Sequence, residues 1–108
     1  MAGVQRLNII DDATGTVYGS GNLAFASSGN YLLSVIATNT ASTDAEIYVY
    51  VVPAGWTANT QWGLIAYKLP LPAYNSYETF RFGVTSTDEV YVAGSAGVRY
   101  IVQGINQI

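Results

Sequence analysis

Proton transfer near neutral pH is the first chemistry to look for, and the sequence has no histidine to perform it. It has no cysteine either, which removes disulfides, thiolate metal sites and thiol nucleophiles together. Catalysis would have to run on carboxylates. Two adjacent acidic pairs exist, Asp11-Asp12 and Asp88-Glu89, but neighbours along a strand point to opposite faces and cannot attack one substrate from the same side. Asp11 and Asp88 read instead as turn formers that accept hydrogen bonds from nearby backbone amides. Asp44 and Glu46 share a strand face and offer oxygen ligands of the kind calcium takes, yet no segment matches a calcium-binding loop. No glycine spacing fits a phosphate cradle, and no Asn-x-Ser/Thr sequon is present. The expectation is a protein that is not an enzyme, with no catalytic residues, cofactor or metal.

Aromatic side chains carry the remaining signal. Tyr48 and Tyr50 lie on the strand face opposite Ile47 and Val49, and Trp56 and Trp62 flank the turn-rich stretch Thr57-Ala58-Asn59-Thr60-Gln61. Exposed aromatics beside Asn, Gln and Thr can anchor a protein contact or stack on a sugar ring. The same residues can also fill the edges of a small core. Tyr48, Tyr50, Trp56 and Trp62 are the candidate partner-binding residues.

The elements that would position them follow from periodicity, which is close to two nearly everywhere. Residues 45–52 put Ile47, Val49 and Val51 on one face and Glu46, Tyr48 and Tyr50 on the other, and Pro53-Ala54-Gly55 ends the run. Further strands are predicted at 31–38, 63–69, 77–82 with Phe80 and Phe82 on one side, 89–93 and 98–104. Pro70 and Pro72, Asn75-Ser76, Ser86-Thr87-Asp88 and Gly94-Ser95-Ala96-Gly97 supply the turns. Along 31–38 both faces carry apolar residues, so the inward face is left open. Shorter runs at 4–10, 16–18 and 23–26 either complete the sheets or, in residues 1–15, form an amino-terminal arm. About seven or eight short strands in 108 residues predict a single all-β domain, residues 1–108, built as an antiparallel two-sheet sandwich of Ig-like or jelly-roll-like type.

Charge narrows the partners. Only 10% of residues are charged against a usual share of about a quarter, while half are hydrophobic and nine are tyrosine. The four basic residues Arg6, Lys68, Arg81 and Arg99 are scattered. Nucleic acid binding, which needs several phosphates neutralised together, is not expected. The longest apolar run, residues 47–54, is far short of the roughly twenty that span a bilayer, and no secretory signal precedes it, so no membrane association is expected. A surface poor in charge suits a protein partly covered by neighbours.

The order of segments carries a further signal. Tyr31-Leu32-Leu33-Ser34-Val35-Ile36-Ala37-Thr38-Asn39-Thr40 is followed by residues 45–55 with their Tyr-Val-Val-Pro-Ala-Gly end. Then come Lys68-Leu69-Pro70-Leu71-Pro72-Ala73, Ser76-Tyr77-Glu78-Thr79-Phe80, Asp88-Glu89-Val90-Tyr91-Val92 and a closing strand at 98–104. This succession, covering about residues 16–105, resembles a small β-sandwich domain of tailed-phage virion proteins. Phage relatives usually carry Ala-Gly-Asp where this chain has Ser86-Thr87-Asp88. The resemblance implies a structural virion protein, made in the bacterial host cytoplasm: a capsid decoration (knob) protein binding the major capsid protein of the assembled shell, or other virion proteins, or further copies of itself. The alternative it implies is a tail, collar or fibre module with receptor or carbohydrate binding.

Overall fold

The computed structural model describes residues 3–11, 22–55 and 64–107. Every regular element among them is a β-strand: β1 (Gln5–Asp11), β2 (Asn22–Ala26), β3 (Tyr31–Asn39), β4 (Ala45–Val52), β5 (Leu64–Leu71), β6 (Ser76–Glu78), β7 (Phe82–Val84), β8 (Glu89–Gly94) and β9 (Val98–Asn106). All pairings are antiparallel. Sheet A runs β1-β9-β3-β6 with β7 also on β3, and sheet B runs β2-β8-β4-β5. None of these residues forms a helix able to cross a membrane.

Alternation of β-branched and small residues explains the two-layer packing, because each strand must hide one face. Along β4, Ala45, Ile47 and Val49 are buried inward. On β3 the inward set is Leu33, Val35 and Ala37, which leaves Leu32 and Ile36 half-buried on the outside. These residues join Val84, Val98, Tyr100 and Val102 of sheet A and Val90, Val92, Ala66 and Leu71 of sheet B in one core. The rings of Phe25 and Tyr31, from opposite sheets, meet edge to face at 5.1 Å.

Among the described residues, three polar ties join the layers. The Tyr100 hydroxyl of β9 donates to the Ala93 carbonyl of β8 at 2.8 Å. Asn8 of β1 donates to the Ala24 carbonyl of β2 at 2.6 Å. At one end, the fully buried Asn39 donates to the carbonyls of Leu71 (3.0 Å) and Thr43 (2.8 Å), while its own side-chain oxygen accepts from the Ala41 amide.

The structure corrects several expectations from the sequence. The described residues alone form nine strands, because the run 77–82 is not continuous. Thr79 interrupts it: its amide donates to the Val35 carbonyl and its hydroxyl accepts from the Val35 amide, both at 2.9 Å. One residue thus satisfies both backbone groups of Val35, and the chain bends there. Phe80 consequently turns to solvent at 62% exposure while Phe82 is buried, although their rings still meet edge to face at 6.4 Å. Pro70 does not end a strand but lies within β5 opposite Glu46, which an edge position permits since proline lacks an amide to donate. Residues 5–11 of the candidate arm are paired with β9 and complete sheet A. Asp11 forms an ion pair with Arg99 at 3.3 Å, and the stretch that would form a turn after it lies outside the described residues. Asp88 does act as a turn former, accepting from the amides of Ala54 and Thr85. The run 16–18 lies outside the described residues.

Each outer edge is irregular. β1 is bulged between Arg6 and Asn8, and β2 between Leu23 and Phe25. β5 carries Pro70 and a left-handed Lys68 (φ 47°), and β6 and β7 are short and separated by Thr79. Such features stop another strand from adding to a sheet.

Candidate docking face

The outer face of sheet B holds a second apolar cluster, separate from the core, in which Tyr50 and Val52 are packed by Tyr48, Leu64 and Tyr91. Register explains it. Leu23, Tyr91, Tyr50 and Leu64 stand opposite one another across β2, β8, β4 and β5, so four large side chains form one row on the outside of the sheet. The rings of Tyr50 and Tyr91 stack with centroids 5.4 Å apart and planes 13° from parallel. In the next row Tyr48 meets Tyr67 edge to face at 5.5 Å. Leu23 and Tyr67 remain nearly half exposed, at 46% and 48%.

Polar groups border the patch. Lys68 Nζ lies 5.9 Å from the centre of the Tyr67 ring, a weak cation–π contact at an exposed site. Tyr91 donates to Glu89 Oε1 at 3.2 Å. Burial raises the pKa of Tyr91 above the ordinary tyrosine value, and the Glu89 charge and hydrogen bond add to the rise. Tyr50 is raised as well, chiefly by burial and then by Tyr91. The Tyr50 and Tyr91 phenols are therefore neutral at physiological pH. A neutral, aromatic, partly dry surface of this kind resembles the buried centre of protein–protein interfaces in composition. The described residues contain no group of three or more acidic, histidine or cysteine side chains able to hold a metal.

Of the residues singled out from the sequence, Tyr48 is half-buried on this face and paired with Tyr67. Tyr50 points the same way but is fully buried, and its hydroxyl finds no hydrogen-bond partner. It packs at the centre of the cluster against Tyr48, Leu64 and Tyr91. Trp56 and Trp62 lie outside the described residues. Leu23, Leu64, Tyr67 and Tyr91 also form this face and are not among the residues singled out from the sequence. Tyr91 was within reach, since the Val90-Tyr91-Val92 alternation already sets it opposite the core valines. Tyr67 was not, because the register irregularity between Ile47 and Val49 decides which face it joins.

The outer face of sheet A has a different chemistry, laid out in rows across β1, β9, β3 and β6. Asp11, Arg99, Thr38 and Ser76 form a polar row. Ile9, Ile101 and Ile36 form an aliphatic row that ends at Glu78. Arg6, Gln103 and Ser34 follow, with Glu78 Oε2 accepting from both Gln103 and Ser34 at 3.1 Å. A shallow dimple beyond them, with room for about one water (≈ 10 Å³), is lined by Val4, Leu32, Ile105 and Arg81.

No family model matches the sequence, and no curated protein matches it. Among solved structures the chain is similar to one in the structure of infectious bursal disease virus, Gx strain, with a TM-score of 0.43 and 14% sequence identity. The similarity covers 95% of this chain and 33% of the viral one, so this chain spans about a third of the length of its match.

Proposed function

We propose that this chain is a structural protein of a viral particle, of the tailed-phage decoration type that its segment order resembles, and that it attaches to an assembled protein shell through the outer face of sheet B. The observation that carries this reading is the second apolar cluster, built outside the core around Tyr48, Tyr67 and Tyr91 with Leu23 at its margin. A face spent on stacked tyrosines costs solubility unless something covers it. Edges blocked by bulges, a proline and a split strand leave the faces to carry assembly. Binding to assembled subunits and not to free ones stabilises the shell by mass action, with no chemistry required.

Attachment to purified particles tests this. Tyr67→Ser combined with Tyr48→Ser should lower particle occupancy about tenfold or more, the effect of removing aromatic anchors from an interface, while leaving circular dichroism unchanged. Unaltered occupancy would remove this face from the interface. Copy number per purified particle separates shell from tail, since hundreds of copies indicate the shell.

A further inference from the structure

Left-handed backbone at a non-glycine residue occurs twice in one stretch of the described chain, at Lys68 (φ 47°) in β5 and at Tyr74 (φ 59°) in the turn after it. Lys68 is accounted for by the edge it guards, where a cation and a shifted register keep other strands away. Tyr74 has no such account. It lies past the strand, as the third residue of a turn that the Asn75 amide closes by donating to the Pro72 carbonyl at 3.1 Å. A positive φ at that position calls for glycine or asparagine. Tyrosine there strains the backbone, and it is 71% exposed, the largest value among the described exposed apolar side chains.

The turn is held firmly from beneath. Asp44 Oδ1 accepts from the Ala73 amide at 3.2 Å, the Asn75 side chain donates to the Ala73 carbonyl at 3.1 Å, and the Asn75 carbonyl accepts from the Asn39 amide at 2.9 Å. Tyr74 also ends a line of exposed apolar residues. Tyr67 stands on the outer face of sheet B, Pro70 follows opposite Glu46, and Pro72 leads into the turn.

We infer that Tyr74 is a second anchor of the shell contact, a ring presented by a strained turn to an apolar pocket on a shell subunit. The inference rests on the reading of sheet B as the docking face and extends that contact along β5 to the turn. A ring fixed before contact loses little freedom on binding, which gives the strain a role. Proline carries no amide, so Pro70 and Pro72 meet a partner through side chains and not by adding a strand. A protein pocket suits this ring better than a sugar does. Sugar sites set polar groups around the ring to bind hydroxyls, whereas the side chains of Asp44, Asn75 and Asn39 are engaged in holding the turn and its neighbours.

Melting temperature and particle attachment, measured on the same variants, test this. Tyr74→Ala removes the ring and keeps a Cβ in the left-handed position, while Tyr74→Gly removes both. The glycine variant should melt about 4 °C above the alanine variant, and each should lower particle occupancy about tenfold. Tyr74→Phe should keep most of the occupancy. Occupancy unchanged by Tyr74→Gly, or a glycine variant that melts no higher than the alanine one, overturns the inference. Binding to a glycan array by the wild type and not by Tyr74→Ala makes the ring a sugar contact and overturns it as well. The docking reading fails on a separate measurement, namely particle occupancy indifferent to Tyr48→Ser and Tyr67→Ser. Loss of occupancy in those two variants with none at Tyr74 sinks the inference alone, and a wild type that does not attach to particles sinks both.

Discussion

At the scale of single residues, two buried tyrosines make opposite contributions. The Tyr100 hydroxyl is buried and bonded to the Ala93 carbonyl, whereas the Tyr50 hydroxyl is buried and bonded to nothing. A buried hydrogen bond contributes about 1 kcal/mol net, while a buried polar group without a partner costs about as much or more. Tyr100→Phe should therefore lower the unfolding free energy by about 1 kcal/mol, and Tyr50→Phe should leave it unchanged or raise it by a similar amount. Thermal melts of the two variants read the contrast. Burial also drives Tyr100 far above the ordinary tyrosine value of 10.0, and Tyr50 and Tyr91 are raised too. The folded state thus keeps these protons more tightly than the unfolded chain does. The resulting stability is complete below pH about 10 and is lost as pH rises above it. Tyr100→Phe should make that alkaline decline shallower.

Among the elements, the interrupted edge formed by β6 and β7 shows how a single polar side chain can stand in for a strand. Thr79 answers both backbone groups of Val35, and Val35 lies in the core-facing row of β3. Thr79→Val preserves shape but leaves the buried Val35 amide without its acceptor. The expected cost is about 2 kcal/mol, with faster hydrogen exchange at Val35 than at Val102, the β9 residue paired with it. Gly94 constrains the other sheet. Its φ of 141° belongs to glycine, and a Cβ there would overlap the Glu46 carbonyl, so β4 and β8 meet at a spacing no other residue allows.

For the whole molecule, accessible surface is 5810 Å², close to the about 5,800 Å² expected of a monomer of this mass. The shortage of charge therefore marks the nature of the surface and not an unusual extent of it. The two layers depend on few polar ties, and Asn39 is the most connected, linking β3 to the end of β5 and to the turn before β4. Asn39→Ala would leave the Leu71 and Thr43 carbonyls and the Ala41 amide unpaired. It should destabilise the protein by about 3 kcal/mol, measurable by denaturant unfolding. An unchanged midpoint would mean that water replaces the side chain.

Strand positions and the two-layer class were legible along the chain, because an alternation of two residues forces one buried and one outward face in each strand. Residues 45–52 show this directly, since Ile47 and Val49 fall inward and Tyr48 and Tyr50 outward as their spacing requires. Local pattern could not show that Tyr50 would be sealed, that Thr79 would divide a strand, or that Pro70 would be accepted at an edge. Each of these depends on which strand lies alongside and in what register. The candidate docking face was legible in part for the same reason. Tyr48 is named by its own strand, but its neighbours Tyr67, Tyr91 and Leu23 come from three other strands, and only pairing across the sheet places them together.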